Sequence, residues 1–443
     1  MADIKSGRLD EARLQQRFAE VYEPLDRHEA HVESDRCYFC YDAPCVTACP
    51  TSIDIPLFIR EISVGNANGA AKTILDANIM GGMCARVCPT ETLCEEVCVR
   101  EVAEGKPVKI GELQRFATDN LMATTDAHPF TRAAETGKRV AVIGAGPAGL
   151  SCAHRLAMHG HDVTIFEALP KPGGLNEFGI AAYKAMDDFA QAEVDFILGI
   201  GGIDIEYGKA LGNGVSLDTL TADYDATFIG MGLPGTNELG LDGEDADGCI
   251  DAVDYIAQLR QSDDLSKLPV GRNVVVIGGG MTAIDIAAQT KLLGAENVTI
   301  FYRRGMENMN ASQYEQDHAQ KHGVTIRQWL QPKALHVTDG AVSGMTFEYT
   351  SGTNGSLRGT GETVSVEADQ VFKAIGQTPA SDLLAAAGIT LERGRIAVDA
   401  NRKTSHVKIW AGGDCVAGGE DLTVVSVEDG KLAAEDIHKM LSA

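Results

Sequence analysis

Eight of the eleven cysteines of this 443-residue chain lie between positions 37 and 98, in two ordered quartets. The quartets are Cys37, Cys40, Cys45 and Cys49, and then Cys84, Cys88, Cys94 and Cys98. Pro50 directly follows the last member of the first quartet. Zinc sites usually have two close pairs of ligands separated by a longer gap, whereas three closely spaced thiolates with a fourth before proline are typical of iron–sulfur ligation. The spacing therefore favours iron–sulfur chemistry, with zinc and disulfides as the alternatives.

The two quartets are expected to share their ligands. In two-cluster arrangements of this kind, the fourth cysteine of a run ligates the other cluster. The first cluster would then be held by Cys37, Cys40, Cys45 and Cys98. The second would be held by Cys49, Cys88 and Cys94, with its fourth ligand open. Cys84 is one candidate for that place.

A glycine-rich turn further along the chain has the spacing of a dinucleotide site. The predicted strand Arg139–Ile143 leads into Gly144, Gly146 and Gly149, and Glu167 ends the next predicted strand. Glycines let the backbone approach a pyrophosphate at the start of a helix, and a carboxylate at the later point can accept hydrogen bonds from ribose hydroxyls. Strand, turn, helix and acid together predict a nucleotide-binding unit.

A second stretch repeats the pattern after the predicted strand Asn273–Ile277. Its turn residues are Gly278, Gly280 and Ala283. The following predicted strand, Asn297–Tyr302, runs into Arg303 and Arg304 rather than an acid. Guanidinium groups at this point suit a 2′-phosphate, which favours NADPH over NADH, unless both arginines are solvated or pair with acids.

The elements that must position these residues are of two kinds. Amphipathic helical patterns cover Asp10–Tyr22, Ile55–Val64, Ala67–Ala77 and Ile110–Ala123. A linker containing Asp126 and Gly137 follows, and then strands and helices alternate. The predicted fold is α/β, with a helical iron–sulfur domain over residues 1–130, a first dinucleotide domain over 138–255 and 375–443, and a second, inserted one over 256–374.

Composition limits the partners and the compartment. The chain has 38 basic and 63 acidic residues, a net charge of −25. Nucleic acids and anionic membranes require basic surface, so neither is an expected partner. The longest apolar stretch, Val140–Ala153, is too short and too rich in glycine to span a membrane. A cytoplasmic protein is predicted, and a reducing cytosol suits clustered cysteines as metal ligands.

Near the C-terminus, a predicted strand, Val407–Trp410, leads into Gly413 and Asp414, and the predicted helix Val425–Met440 follows. This element resembles the ribityl-binding Gly-Asp element of flavoproteins with two dinucleotide domains. The resemblance implies that the first dinucleotide site holds FAD and that Asp414 contacts its ribityl or pyrophosphate region.

The cysteine pattern followed by two dinucleotide domains resembles the glutamate synthase small-subunit group over essentially the whole chain. Dihydropyrimidine dehydrogenases share this architecture in their N-terminal half. Four segments are more similar to the dehydrogenase: 110–118, 174–180, 228–234 and 426–431. The segment 174–180 begins with Gly174, which the resemblance adds as a cofactor-binding residue. In that family a glutamine replaces one cysteine ligand and matches Gln114 here. The resemblance thus implies Cys49, Cys88, Cys94 and Gln114 for the second cluster, with Cys84 left over.

The resemblance also implies a function. Electrons would pass from NADH or NADPH through FAD and two 4Fe–4S clusters to a partner, the FMN and iron–sulfur subunit with the dihydropyrimidine dehydrogenase barrel. That partner would reduce uracil or thymine in a hetero-oligomer, so no catalytic acid or base is predicted in this chain. The alternatives are a glutamate synthase small subunit, a ferredoxin-linked transhydrogenase subunit, and a flavin reductase with a zinc-binding docking module.

Overall fold

A computed structural model of the chain describes residues 9–125, 127–352 and 356–443, in two compact units. The larger unit comprises residues 22–177, 185–235 and 379–443, and the smaller one comprises residues 9–21, 178–184 and 236–378. No helix within these ranges is long and apolar enough to cross a membrane. The linker residue Asp126 lies outside the described residues.

The helices of the described residues are, in chain order, α1 (Glu11–Arg17), α2 (Arg27–Ser34), α3 (Pro44–Ala48), α4 (Ile55–Ser63), α5 (Ala67–Ala77), α6 (Gly81–Val87), α7 (Val99–Glu104), α8 (Ile110–Thr124), α9 (Pro147–Met158), α10 (Leu175–Phe178), α11 (Phe189–Leu198), α12 (Leu217–Asp223), α13 (Ala252–Arg260), α14 (Met281–Leu292), α15 (Gln313–Lys321), α16 (Ser381–Ala386) and α17 (Thr423–Ser442).

The strands are β1 (Arg139–Ile143), β2 (Asp162–Glu167), β3 (Ile203–Tyr207), β4 (Ala210–Leu211), β5 (Gly214–Val215), β6 (Ala226–Ile229), β7 (Gly235–Thr236), β8 (Cys249–Asp251), β9 (Asn273–Gly278), β10 (Asn297–Phe301), β11 (Thr325–Arg327), β12 (Leu330–Thr338), β13 (Ala341–Ser351), β14 (Arg358–Glu367), β15 (Gln370–Ala374), β16 (Gln377–Thr378), β17 (Leu391–Glu392), β18 (Arg395–Ile396) and β19 (Ile409–Ala411).

The first part of the larger unit is helical because apolar residues recur at helical spacing. On α4, Ile55, Phe58, Ile59 and Ile62 are all buried, which gives that helix one continuous apolar face. This face packs in one core with buried residues of α5 and α8. Asp54 begins α4 by accepting a hydrogen bond from the Leu57 N–H. The helices thereby fix the loops in which the cysteines lie.

The second part of the larger unit contains a parallel sheet in the order β19-β6-β1-β2-β3. Four of the five residues of β1 are buried, as expected for a strand with helices on both faces. Helices α9 and α17 pack together extensively beside this sheet. The turn between β1 and α9 therefore lies at the carboxyl edge of a parallel sheet, where such folds bind nucleotides.

The smaller unit contains a second parallel sheet, in the order β11-β10-β9-β15-β8, and an antiparallel sheet, β12-β13-β14. Ile277 of β9 is in register with Phe301 of β10, as Ile143 of β1 is with Phe166 of β2. The two parallel sheets thus repeat one β-α-β plan, and the α/β prediction is confirmed.

Element ends differ from prediction where contacts distant in sequence decide them. The pattern Asp10–Tyr22 predicts a longer helix than α1, which ends at Arg17. Beyond that point the Val21 N–H donates to the Tyr183 carbonyl, so the backbone pairs with another segment instead of continuing the helix. The C-terminal helix, in contrast, extends beyond its predicted ends to Thr423 and Ser442.

Candidate cofactor sites

The first cavity of the helical part is lined by Cys37, Cys40, Cys45 and Cys98. These are the four cysteines that the shared-ligand prediction groups together. Three belong to the first quartet, and Cys98 comes from the second. Cys45 lies on α3 and Cys98 caps the start of α7. The fold thus brings the end of the second quartet to the beginning of the first.

The second cavity is lined by Cys49, Cys84, Cys88, Cys94 and Gln114. Both candidates for the eighth ligand, Cys84 and Gln114, therefore face the same space. Gln114 is buried, and its Nε2 donates a hydrogen bond of 2.7 Å to the Gly81 carbonyl. That bond occupies the amide nitrogen and leaves the amide oxygen as the donor atom for a metal. The Cys84 thiol, and then burial, raise the pKa of the Cys88 thiol well above its usual value.

Several of these cysteines lie where a helix begins or ends. Cys49 caps the end of α3, Cys88 caps the end of α6, and Pro50 and Pro89 follow them. Proline disfavours helical geometry in the residue before it, so each helix stops at the cysteine. The side chains are thereby held on ordered helix ends rather than in long loops.

The electrostatics of both cavities suit a cation. Burial, and then the nearby Cys37 and Cys98, raise the pKa of the Cys45 thiol to about 12. Burial also raises the pKa of Cys94 well above its usual value. Thiols hold their protons in such places unless positive charge stabilises the thiolate. Among the described residues, no three His, Cys, Asp or Glu side chains lie close enough together to hold one metal ion. The assignment of the cysteines to two groups therefore rests on which of them line each cavity.

The two cavities differ in exposure. Three lining residues of the second cavity, Cys49, Cys84 and Cys94, are buried, whereas all four cysteines of the first are partly exposed. Two exposed apolar side chains are sequence neighbours of first-cavity residues: Tyr41 follows Cys40 and Leu57 follows Pro56. The second cavity instead includes Val424, in the first turn of α17.

The glycine turn between β1 and α9 has no room for side chains at two of its three glycines. A Cβ on Gly144 would lie 2.5 Å from the Gly230 carbonyl oxygen, and Gly144 has a φ of +94°. A Cβ on Gly149 would lie 1.9 Å from the Gly144 oxygen. A Cβ on Gly146 would meet nothing closer than Gly174, at 3.8 Å. Space is therefore kept above Gly146, where a pyrophosphate is expected, whereas a Cβ on Gly174 would lie 2.8 Å from the Gly146 Cα, so glycine is needed there for close packing.

Glu167 is tied to this turn. One carboxylate oxygen accepts a hydrogen bond of 2.7 Å from the Ala145 N–H, and the other accepts one of 2.7 Å from the Leu169 N–H. The carboxylate is buried, and each oxygen keeps a second lone pair. Glu167 thus orients the glycine turn, and a contact with ribose hydroxyls would be additional to that role.

Asp414 lies beside the start of α17, where Ser426 is 3.4 Å away from its carboxylate. Burial, and then the charge of Asp421, raise the pKa of Asp414 to about 6. Asp429 was not among the predicted site residues; its carboxylate accepts a hydrogen bond from the Gly413 N–H at 2.9 Å and also pairs with Arg402. Asp429 lies within segment 426–431, whose similarity to the dehydrogenase was the one sequence feature that could have identified it as a site residue.

The second glycine turn repeats the geometry with one exchange. Gly278 has a φ of +147°, and a Cβ there would lie 2.1 Å from the Ala374 oxygen. Tyr302 takes the place that Glu167 has in the first turn, and its ring would be 2.5 Å from a Cβ on Gly279. Nothing lies within 4 Å of a Cβ on Gly280, and Ala283 is buried in α14.

The two predicted coenzyme arginines follow this tyrosine. Arg303 is exposed, whereas Arg304 is partly buried and lies 3.5 Å from the Tyr302 hydroxyl. The exposed guanidinium of Arg303 is the one available to an incoming phosphate, and Arg304 is held against the turn.

Two parallel sheets, each with a glycine turn before a helix, define a reductase with two dinucleotide-binding domains, and a cysteine-rich helical module precedes them. The pyridine nucleotide-disulphide oxidoreductase family matches residues 138–430, and the family described as dihydropyrimidine dehydrogenase domain II, 4Fe-4S cluster, matches residues 13–126. The chain therefore belongs to the pyridine nucleotide-disulphide oxidoreductase family and carries a 4Fe-4S domain ahead of it.

Two curated relatives are similar over nearly their whole length. The glutamate synthase [NADPH] small chain of Escherichia coli is 35% identical over 96% of this chain and 94% of its own length. The NAD-dependent dihydropyrimidine dehydrogenase subunit PreT of Escherichia coli is 37% identical over 92% of this chain and 93% of its own. Thioredoxin reductase of T. acidophilum shares the fold, with a TM-score of 0.53 over 69% of this chain and 98% of its own, at 23% identity.

These findings confirm an NAD(P)H-dependent oxidoreductase subunit with an FAD-type domain and a 4Fe-4S domain. The two relatives are named for different enzymes at nearly the same identity, so the similarity by itself does not identify the final electron acceptor.

Proposed function

We propose that the chain is the electron-input subunit of a dihydropyrimidine dehydrogenase. When bound, FAD would accept the electron pair of NADH or NADPH, and two 4Fe–4S clusters would carry single electrons to a partner with FMN that reduces uracil or thymine. The observation that carries this proposal is the neutral amide of Gln114 among the thiols of the second cavity. A reducing compartment such as the cytoplasm suits these thiols.

The residues of the chain would serve this function by binding and orienting. Gly146 would leave space for a pyrophosphate, Gly144, Gly149 and Gly174 permit the close backbone packing of the turn, and Glu167 orients it. Gly413 and Asp414 would hold the ribityl region of FAD, supported by Asp429. Gly278, Gly280 and Ala283 would receive the nicotinamide dinucleotide, with Arg303 and Arg304 beside its adenosine ribose. The hydride chemistry belongs to the cofactors.

Exposure suggests a direction for electron flow within the larger unit. Near the start of α17, Val424 lines the second cavity and Ser426 contacts Asp414. The second cavity therefore borders the Gly413–Asp414 element, which would hold the ribityl region of FAD. The first cavity, with its partly exposed cysteines, would then be the exit. Exposed Tyr41 and Leu57 provide apolar surface there for a docked partner, which supports a hetero-oligomer.

The glutamate synthase small chain is the second candidate, because its similarity to this chain is as extensive. Anaerobic purification with the products of neighbouring genes separates the two. We expect an FMN-containing barrel subunit to co-purify, about eight irons per chain by the two-cluster ligand count, and NAD(P)H-dependent reduction of uracil. Glutamate formation from glutamine and 2-oxoglutarate, or zinc in place of iron, would overturn the proposal.

Substitutions of Gln114 and Cys84, the two candidates for the eighth ligand, test which of them binds the cluster proposed for the second cavity. Gln114→Ala should lower the iron content or shift the reduction potential of one cluster, because it removes an oxygen donor that only that cavity contains. Cys84→Ala is the matched control, since Cys84 lines the same cavity and is also buried. It should keep full iron and both potentials, measured by iron analysis and EPR-monitored titration. The reverse pattern would make Cys84 the ligand.

A further inference from the structure

Glu193 is a fully buried carboxyl group with no role in either glycine turn and no place among the proposed ligands. It lies on α11 in the larger unit, and its side chain is 1% exposed. Its Oε1 accepts hydrogen bonds from the Gly82 N–H at 2.8 Å and from the Met83 N–H at 3.0 Å. These residues open α6, the helix that contains Cys84 and ends at Cys88.

The peptide group between Gly81 and Gly82 connects this carboxyl to the second cavity. Its N–H donates to Glu193, and its carbonyl accepts from Gln114 Nε2 at 2.7 Å. A single planar peptide therefore stands between the buried acid and the amide that lines the cavity. Hydrogen bonds in such a chain polarise one another, so the charge on Glu193 affects the amide at the other end.

The packing around the carboxyl is tight. A Cβ on Gly82 would lie 2.5 Å from the Phe189 ring and 2.8 Å from Glu193 Oε1. The guanidinium of Arg86 lies 3.4 Å from the centre of the same ring. The carboxyl thereby lies in a region of low dielectric, where a nearby change in charge acts strongly.

The second oxygen of Glu193 is buried and accepts no hydrogen bond from the described residues. The nearby cation, Arg86, is committed to Asp119 by two bonds of 3.0 and 2.8 Å. The ionised form of Glu193 is therefore only partly compensated, since a buried carboxylate requires partners for both oxygens. An added negative charge in the second cavity would favour its protonation.

We propose that Glu193 takes up a proton when a cluster in the second cavity is reduced; this rests on the proposed function, which puts a cluster there. The electron would come from reduced flavin when the cofactors are bound, and the free oxygen of Glu193 would bind one proton taken from solvent. The net charge of this region then stays constant. Glu193 is a positioning residue in this step, because it acts through the peptide and Gln114 rather than on the cluster itself.

The electrostatics agree with this role. Burial raises the pKa of Glu193 to about 8, against the opposing effects of the Met83 N–H, Arg86 and the Gly82 N–H. Added negative charge raises the pKa of a carboxyl further, so above about pH 8, where the acid is ionised in the oxidised protein, reduction draws a proton in. Charged or titratable groups on the helices packed around α6 and α11 include Arg86, Arg115, Asp119, His154, Glu428 and Lys431. Of these, buried His154 has a pKa lowered to about 3 and stays neutral.

The test is the pH dependence of the cluster potentials in the anaerobic holoenzyme. EPR-monitored titrations from about pH 6 to about pH 10 span the ionisation of the carboxyl. We expect one cluster potential to fall as pH rises above about 8, by up to about 59 mV for each tenfold change in proton concentration. Glu193→Gln keeps the acceptor oxygen but cannot ionise, so it should abolish the slope.

Asp119→Asn is the matched control, because it removes a carboxylate from the same neighbourhood without touching the peptide between Gly81 and Gly82. It frees Arg86 to stabilise ionised Glu193, so the slope should persist and move to lower pH. An unchanged slope in Glu193→Gln, or a wild-type potential independent of pH, would overturn the inference. A wild-type protein without iron would instead overturn the proposed function.

If Glu193→Gln does not assemble, the wild-type protein still decides the matter. The infrared difference spectrum between its reduced and oxidised states should contain a new protonated-carboxyl band that shifts in heavy water. The absence of any such band would contradict proton uptake by a buried acid.

Discussion

Replacing Cys45 by serine is expected to break electron delivery while leaving the flavin reaction intact. Cys45 lines the first cavity with three other cysteines, and its half-buried thiol, whose pKa is raised, needs a nearby cation to ionise. Serine is a poor iron ligand at neutral pH. Transfer to the partner should fall about 100-fold or more, equivalent to about 2.7 kcal/mol of barrier. Reduction of an artificial two-electron acceptor by NAD(P)H should continue.

The measurements are iron per chain, flavin per chain, and both rates. Cys249→Ser is the matched control, because Cys249 is a partly buried cysteine in the smaller unit, outside both cavities. It should keep all iron and both activities. Full iron content in Cys45→Ser, or equal losses of the two activities, would show that Cys45 does not hold a cluster on the exit path.

Gly146→Ala should yield a folded protein without FAD. A Cβ at this position meets no protein atom within 3.8 Å, and the backbone has φ −79° and ψ −176°, which alanine adopts freely. The methyl group would nevertheless occupy the space kept for a pyrophosphate. A loss of affinity of about 100-fold, or about 2.7 kcal/mol, is expected.

The control for this prediction is the equivalent glycine of the second turn. Gly280→Ala also meets nothing within 4 Å, so it should keep FAD and raise KM for NADH or NADPH instead. Flavin absorbance, steady-state kinetics and the melting temperatures of the flavin-free proteins distinguish the variants. A stoichiometric flavin content in Gly146→Ala, or flavin loss in Gly280→Ala, would contradict the assignment of the two sites.

The strands and glycine turns were predictable because their signals are local. The apolar run Arg139–Ile143, followed by glycines at fixed spacing, predicts β1 at both of its ends. The predicted ends of α5 also agree with the structure, because Asn66 caps the start of the helix and the spacing of its apolar residues is regular. Helix α1 differs because the chain beyond Arg17 pairs with Tyr183, a contact that periodicity does not contain.

The surroundings of the cavities were only partly predictable. Spacing indicates which cysteines belong together, whereas Gln114 was reached through family resemblance. No sequence pattern distinguishes Glu193 from an ordinary helical acid, and Asp429 is marked only by its place in the dehydrogenase-like segment 426–431. Their roles depend on which backbone N–H groups the packed helices present to them, at Gly82 and Gly413 respectively. Such tertiary contacts are set by the whole fold rather than by neighbouring residues.

The short helix α3 sets a limit on how the chain handles electron pairs. Cys45 near its start lines one cavity, and Cys49 at its end lines the other. Four residues of helix advance only about 6 Å. If each cavity holds a cluster, as proposed, an added charge in one would repel an added charge in the other. We therefore expect a relay that passes electrons one at a time and does not store the pair that each nicotinamide supplies.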